Sequence, residues 1–410
     1  MKRFAVWFLI FSCAMVLCLT SSAFAAKAIK IGIADTYSGG AAVFGIDMRD
    51  GLRMGLNEIN AKGGVLGRKI EIVTRDEKFT PDLALAMAKE LIMRENVDLL
   101  MGTISSASAL AISDLAKREK IPFLVTYAKS ETITGELGHR YVFSMADNTA
   151  MAGRAAGDFI GKKGYTKFWI AGDDMAYGHD ICKATWTQIK KVNPKAELLG
   201  ETWWKVGETD FVPYITQIMA AKPDFIICGA SGASVVGFQK AAKQTGLIQK
   251  VPIYQHTAIE YSVLAGAGPD SPEGAVGTAS YMYYYPKTAE NKAFADKFRK
   301  AYGRLPTMPA FFGYVTSQMV AKAYQKAGAV DKEKFIDALE GMTVEGTVLG
   351  KLQVRKCDHQ LLYPIFYGIT KKVPEYKDHI IGTDIVTIPA GTGYPTCEEV
   401  AQARAAKAKK

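Results

Sequence analysis

Cysteine and histidine are scarce here, six and five among 410 residues. No two cysteines form C-x-x-C, and the histidines (His139, His179, His256, His359, His379) have no metal-ligand spacing, so neither a redox pair nor a metal site is expected. H-E-x-x-H, G-x-S-x-G, a Walker A loop and a G-x-G-x-x-G opening a helix are all missing. Without a catalytic set or a cofactor motif, binding is favoured over turnover. A triad scattered along the chain would escape this reading. Past residue 25 no apolar run reaches the roughly 18 residues that a membrane-spanning helix needs. The formal charge of +10 falls to +8 without Lys2 and Arg3, and four further positive charges sit in the tail at Arg404, Lys407, Lys409 and Lys410. No basic-aromatic run accompanies them, so nucleic acid is not an expected partner.

What is present begins with a leader. A basic start (Lys2, Arg3), an apolar run from Phe4 to Leu19 and the small-residue site Ala23-Phe24-Ala25 read as a cleaved secretory signal over residues 1–25. A lipoprotein signal at Cys18 fits less well, because Met15-Val16-Leu17 offers no small residues ahead of the cysteine. The expected product is a periplasmic protein of about 385 residues, a comfortable length for two domains. Cys13 and Cys18 leave with the leader. Of the remaining four, Cys357 and Cys397 lie in polar, turn-rich surroundings and are the preferred disulfide in an oxidising compartment. Cys228 ends a buried-strand pattern, Cys182 sits in a helical one, and both read as free thiols.

The body of the chain alternates strand and helix. Strands are expected at 29–33, 69–74, 97–101 and 122–125, with helices opening near Met48, at Thr80-Pro81 and at Ser108. After a connection near 144–148 the alternation restarts, with strands at 167–171, 196–201 and 224–228 and a helix over 180–192. Helical patterns follow at 291–302, 312–327 and 332–339, then strand-like stretches at 350–354 and 363–367. The last forty or so residues, rich in Pro, Gly and Thr, read as an irregular tail. Such alternation implies right-handed crossovers and mainly parallel sheets covered on both faces.

In open sheets of this kind ligands sit beyond the carboxyl ends of the strands, where a helix N-terminus offers free N–H groups to an anion. Ser105-Ser106-Ala107-Ser108 occupies such a place, and so does Thr126-Tyr127-Ala128-Lys129-Ser130 after the next strand. Helix capping accounts for serines there equally well. Tyr177-Gly178 holds the corresponding edge of the second unit. Trp203-Trp204 and the cluster Tyr281, Tyr283, Tyr284 and Tyr285 read first as packing.

Gly39 to Gly51, the stretch Ile59 to Arg68, Asp76, Gly102 to Ser106, Ile121-Pro122, Tyr177-Gly178, Asp210-Phe211, and Arg355 with Asp358-His359-Gln360 carry a resemblance. The chain resembles the solute-binding proteins of branched-chain amino acid ABC transporters, the leucine/isoleucine/valine-binding type of type I periplasmic binding protein. The resemblance implies an α/β fold of two Rossmann-like lobes with mainly parallel sheets, joined by three crossovers. The lobes would be 27–146 with 278–345, and 147–277 with 346–405. A small carboxylate-bearing ligand would bind between them in a monomeric protein without cofactor, and the closed form would meet membrane permease subunits. By the same resemblance Ser106 and Ser130 match carboxylate-binding hydroxyls, Ala128 a backbone carbonyl that meets the ligand's ammonium, and Phe44 and Tyr177 pocket aromatics. Two positions depart from the pattern: Ser231 stands for a Tyr, and Thr257 for the Glu that pairs with the ammonium, with Glu260 as the nearest substitute acid. A hydrophobic amino acid is the leading ligand, a non-amino carboxylate such as an aromatic acid the alternative, and a ligand sensor the alternative role.

Overall fold

A computed structural model describes residues 27–268, 271, 273–377 and 379–409. The leader expected over 1–25 lies outside them. Strands β1 (Ile29–Asp35), β2 (Ile70–Asp76), β3 (Leu99–Gly102), β4 (Phe123–Val125) and β5 (Val142–Ser144) form a parallel sheet in the order β2-β1-β3-β4-β5. A seven-stranded sheet holds β6 (Lys167–Asp173), β7 (Glu197–Trp204), β8 (Phe225–Gly229), β9 (Ile253–Gln255), β10 (Val276–Ala279), β14 (Ile365–Lys371) and β15 (Ile381–Ile388), in the order β15-β14-β10-β9-β8-β6-β7. Its first five strands pair in parallel, while β14 and β15 add an antiparallel edge. Between β10 and β14, a small antiparallel sheet joins β11 (Thr343–Thr347), β12 (Gly350–Val354) and β13 (Leu361–Leu362).

Parallel strands are covered on both faces, and the sequence shows it. Ile29, Ile31 and Ile33 of β1 are buried in one core, while Ala34 faces the other. The helices Ala42–Ala61 and Met308–Ala327 cover the first face together, although they lie far apart in the chain. Glycines bring them close: a Cβ on Gly51 would stand 1.9 Å from the Ala310 carbonyl oxygen, and one on Gly313 2.1 Å from that of Met48. In the second unit Trp204 packs on Phe211 and Phe238, with centroids 5.2 Å away in each case. Tyr281 stacks on Phe311 at 4.6 Å. The packing reading of these aromatics holds.

Three chain passages link the two large sheets, at 145–148, after Ala279, and between Leu362 and Ile365, and they are bonded to one another. Gln360 donates from Nε2 to the Ala146 carbonyl and accepts from Asn148 Nδ2, while Tyr363 donates its hydroxyl to the Met145 carbonyl.

The irregular tail expected after about residue 370 is corrected. It contains β15 and a helix over Cys397–Ala408, opened by a capping box in which Thr396 and Glu399 bond reciprocally. In β15 Gly382, Thr383, Asp384 and Thr387 interrupt the apolar residues, and the helix is alanine-rich and solvent-facing, so neither shows an apolar period. Arg404 anchors that helix by donating to the carbonyls of Thr134, Gly135 and Cys357. The Cys357–Cys397 disulfide is present, and Cys182 and Cys228 are free and buried as expected.

Candidate ligand-binding site

The carboxyl ends of the two large sheets face each other, and the loops beyond them line a cavity of about 70 Å³. Phe44, Phe79, Ile104, Ser106, Tyr127 and Lys129 line it from the loops after β1, β2, β3 and β4; Met175, Tyr177, Ser231, Gly232 and Thr257 line it from those after β6, β8 and β9. Most of the wall is apolar, and Phe44 stacks on Tyr127 at 5.5 Å.

The serines after β3 divide their work. Ser105 caps the helix Ser106–Glu119, accepting from the Ser108 N–H, and the Ser108 hydroxyl donates to Glu77. Ser106 does neither. Its Oγ accepts from the Ser130 N–H at 3.2 Å, which leaves its own O–H to donate into the cavity at the helix N-terminus. Ser106→Ala is therefore expected to weaken ligand binding by roughly 1–3 kcal/mol with the fold intact. Calorimetry showing an unchanged dissociation constant would remove Ser106 from the site.

Five of the expected residues, Phe44, Ser106, Tyr177, Ser231 and Thr257, come together on the wall. Ala128 and Ser130 do not. Ala128 is buried in the core behind the first sheet's loops, and the Ser130 hydroxyl donates to Asp180 on the helix Ala176–Val192, so it bridges the two sides of the cleft. Glu260 does not reach the cavity wall either. Its carboxylate accepts from the Met308 N–H at 2.8 Å and from the N–H and hydroxyl of Ser262, so it caps two helices.

Lys129 stands in the loop after β4 that the sequence marks as ligand-facing, and its own sequence signal is only a lysine a few residues past a fully buried strand. Its ammonium is 4% exposed, pairs with Asp147, and lies 4.8 Å from the Tyr127 ring centroid. Asp147 also accepts from the Ser280 hydroxyl at 2.7 Å and has His256 Nε2 at 3.4 Å. Burial works to raise the Asp147 carboxyl, but Lys129 and His256 outweigh it and hold the acid well below the usual carboxylate range. Burial lowers Lys129, with Asp147 opposing. Phe79, Ile104 and Met175 carry no sequence signal of their place on the wall, because an apolar loop residue looks the same whether it lines a cleft or fills a core.

Behind the Ser106 loop sit two buried acids. Glu77 accepts three hydroxyls, from Thr36, Thr103 and Ser108, at 2.6–2.8 Å. Asp35 accepts the N–H groups of Thr36 and Ile104 at one oxygen, while its other oxygen has no partner. Burial first, and the Glu77 charge behind it, push Asp35 up to about 7. A raised acid stabilises the fold below its unfolded value of 3.8 and loses that contribution as pH climbs through about 7. Asp35→Asn should thus gain roughly 2–4 kcal/mol over the natural protein at pH 8 and nothing at pH 4. Urea midpoints for the two forms at both pH values measure this, and a gain independent of pH would refute it.

A cleft between two α/β units, apolar with a few convergent donors, suits capture of a small molecule. Residues 28–368 match the family model described as periplasmic binding protein. The chain belongs to the periplasmic binding protein family. It is 28% identical over 332 residues to the leucine-, isoleucine-, valine-, threonine-, and alanine-binding protein of Pseudomonas aeruginosa, covering 79% of this chain and 85% of that one. A branched-chain amino acid transporter structure from Rhodopseudomonas palustris has a TM-score of 0.73 at 27% identity, covering 88% and 97% of the two chains. A solute-binding protein of R. palustris in complex with benzoate shares the fold, with a TM-score of 0.79 at 24% identity over 88% and 97%. In this family of transporter binding proteins the members work outside the cytoplasm with membrane permeases. Among the described residues no helix is long and apolar enough to cross a membrane, and no group of three or more His, Cys, Asp or Glu is placed to hold a metal ion.

Proposed function

We propose that this chain is the periplasmic solute-binding subunit of an ABC importer, exported by the leader at 1–25, acting as a monomer and without catalysis of its own. It captures a small carboxylate-bearing ligand with a hydrophobic body, the class to which the branched-chain amino acids of its named relatives belong. The observation that carries this is the cavity at the facing carboxyl ends of both sheets, with the Ser106 hydroxyl at a helix N-terminus on one side and Tyr177 on the other. The bodies that close on the ligand are the two units built on the large sheets. Ligand contacts to both select the closed form, which the permease then recognises.

A thermal-shift screen of the mature protein against amino acids, aromatic acids and amides tests this reading. A ligand at about 100 times its dissociation constant should add about 2.7 kcal/mol to stability. No stabilisation by any carboxylate at millimolar concentration would sink the ligand class, and turnover of a bound compound would sink the non-catalytic role.

A further inference from the structure

Among the described residues Lys129 is the one charged side chain on the cavity wall, and no carboxylate lines it. Three acids stand behind the wall near Lys129 and the second sheet, and each of these is already engaged, while Asp35 and Glu77 lie buried behind the Ser106 loop and do not line the cavity. Asp147 takes Lys129 and Ser280. Glu260 takes the Met308 N–H and Ser262. Asp173 takes the Trp204 indole N–H at one oxygen and the Ser231 N–H and hydroxyl at the other, all at 2.7 Å. A ligand ammonium entering the cleft would meet no anion and would stand beside a second cation, and burying a charge without a partner is strongly unfavourable. A ligand carboxylate faces the opposite situation. Ser106 offers its hydroxyl at the helix N-terminus, and Asp147 is the one hydrogen-bond acceptor on Lys129 Nζ among the described residues, so the ammonium retains donors for a ligand oxygen.

We infer that Lys129 is the specificity-determining residue of the cleft, and that its ligand is a hydrophobic carboxylate lacking an α-ammonium, such as an aromatic acid or the 2-oxo counterpart of a branched-chain amino acid. This rests on the solute-binding reading above and narrows it. The chain supplies from Lys129 the positive charge that an α-amino acid would bring with it, and Asp147 is the counter-ion that keeps that charge in place. The apolar remainder of the wall, with Phe44, Phe79, Tyr127 and Tyr177, accepts the ligand body.

The test is calorimetric titration of the purified mature protein with matched pairs: leucine against 4-methyl-2-oxopentanoate, phenylalanine against 3-phenylpropanoate, and benzoate alone. The expected result is that the acid without the amine binds about tenfold or more tightly than its α-amino partner. The double variant Lys129→Met/Asp147→Asn, which removes both charges and so leaves neither buried alone, should bring the two members of a pair within about threefold. Tighter binding of leucine or phenylalanine by the natural protein would overturn the inference and leave the solute-binding reading standing. Unchanged discrimination in the double variant would overturn the role of Lys129. Failure of every compound to bind would remove the carboxylate reading itself, and the inference with it.

Discussion

Asp147→Ala is expected to destabilise the protein by roughly 3–5 kcal/mol at pH 7, the range for removing one partner of a buried ion pair. Lys129 is 4% exposed and Asp147 wholly buried, so the substitution strands an ammonium inside the fold. It also takes the acceptor from Ser280, which begins the second passage between the sheets. The double variant is far less affected. Lys129→Met/Asp147→Ala leaves no buried charge and should recover most of the loss. Guanidinium unfolding of both forms reads the difference, and a single variant as stable as the natural protein would show that the pair is solvated. Because Asp147 is held below its usual value, its contribution is present above the unfolded value of 3.8 and is lost as pH falls through the folded one.

Removing the Cys357–Cys397 disulfide as the double serine variant should lower stability by about 2–4 kcal/mol. The bond closes a sequence separation of 40 residues that includes β14 and β15, and it holds the last helix against the first unit, where Arg404 caps the Thr134 and Gly135 carbonyls. Loss of chain restriction in the unfolded state accounts for the magnitude. Equal midpoints for the natural and serine forms under oxidising conditions would refute it. Proteolysis of the variant should start within the last helix.

Much of the architecture was legible because parallel strands buried on both faces read as short apolar runs. The strands from Ile29 to Val125 and from Lys167 to Gly229 were each anticipated to within about three residues. The helix Thr149–Gly161 was not. Its contact face is made of Gly153 and Gly157, where a Cβ would stand 2.8 Å from the Ala184 Cβ and 2.5 Å from the Thr185 carbonyl oxygen, and glycine gives no apolar period. The Ser106 loop could be found from its place after a strand, and Phe44, Tyr177, Ser231 and Thr257 from the resemblance. Lys129 could not. Its meaning depends on Asp147, eighteen residues on, and on the absence of any acid at the wall, which only the folded chain brings out. Ser130 shows the converse: a matched position transfers, while the direction its side chain faces does not.

The pairing of the helix Ala42–Ala61 with Met308–Ala327 has a consequence for biogenesis. One face of the first sheet stays incompletely covered until residue 327 has been synthesised, since the helix that completes the cover is encoded after the five parallel strands of the second sheet. The amino-terminal unit therefore cannot complete its core early in translation, as a domain contiguous in sequence does. A chain threaded across a membrane in an extended state gains from that delay, because the contacts that would make it too compact for passage require its own far end.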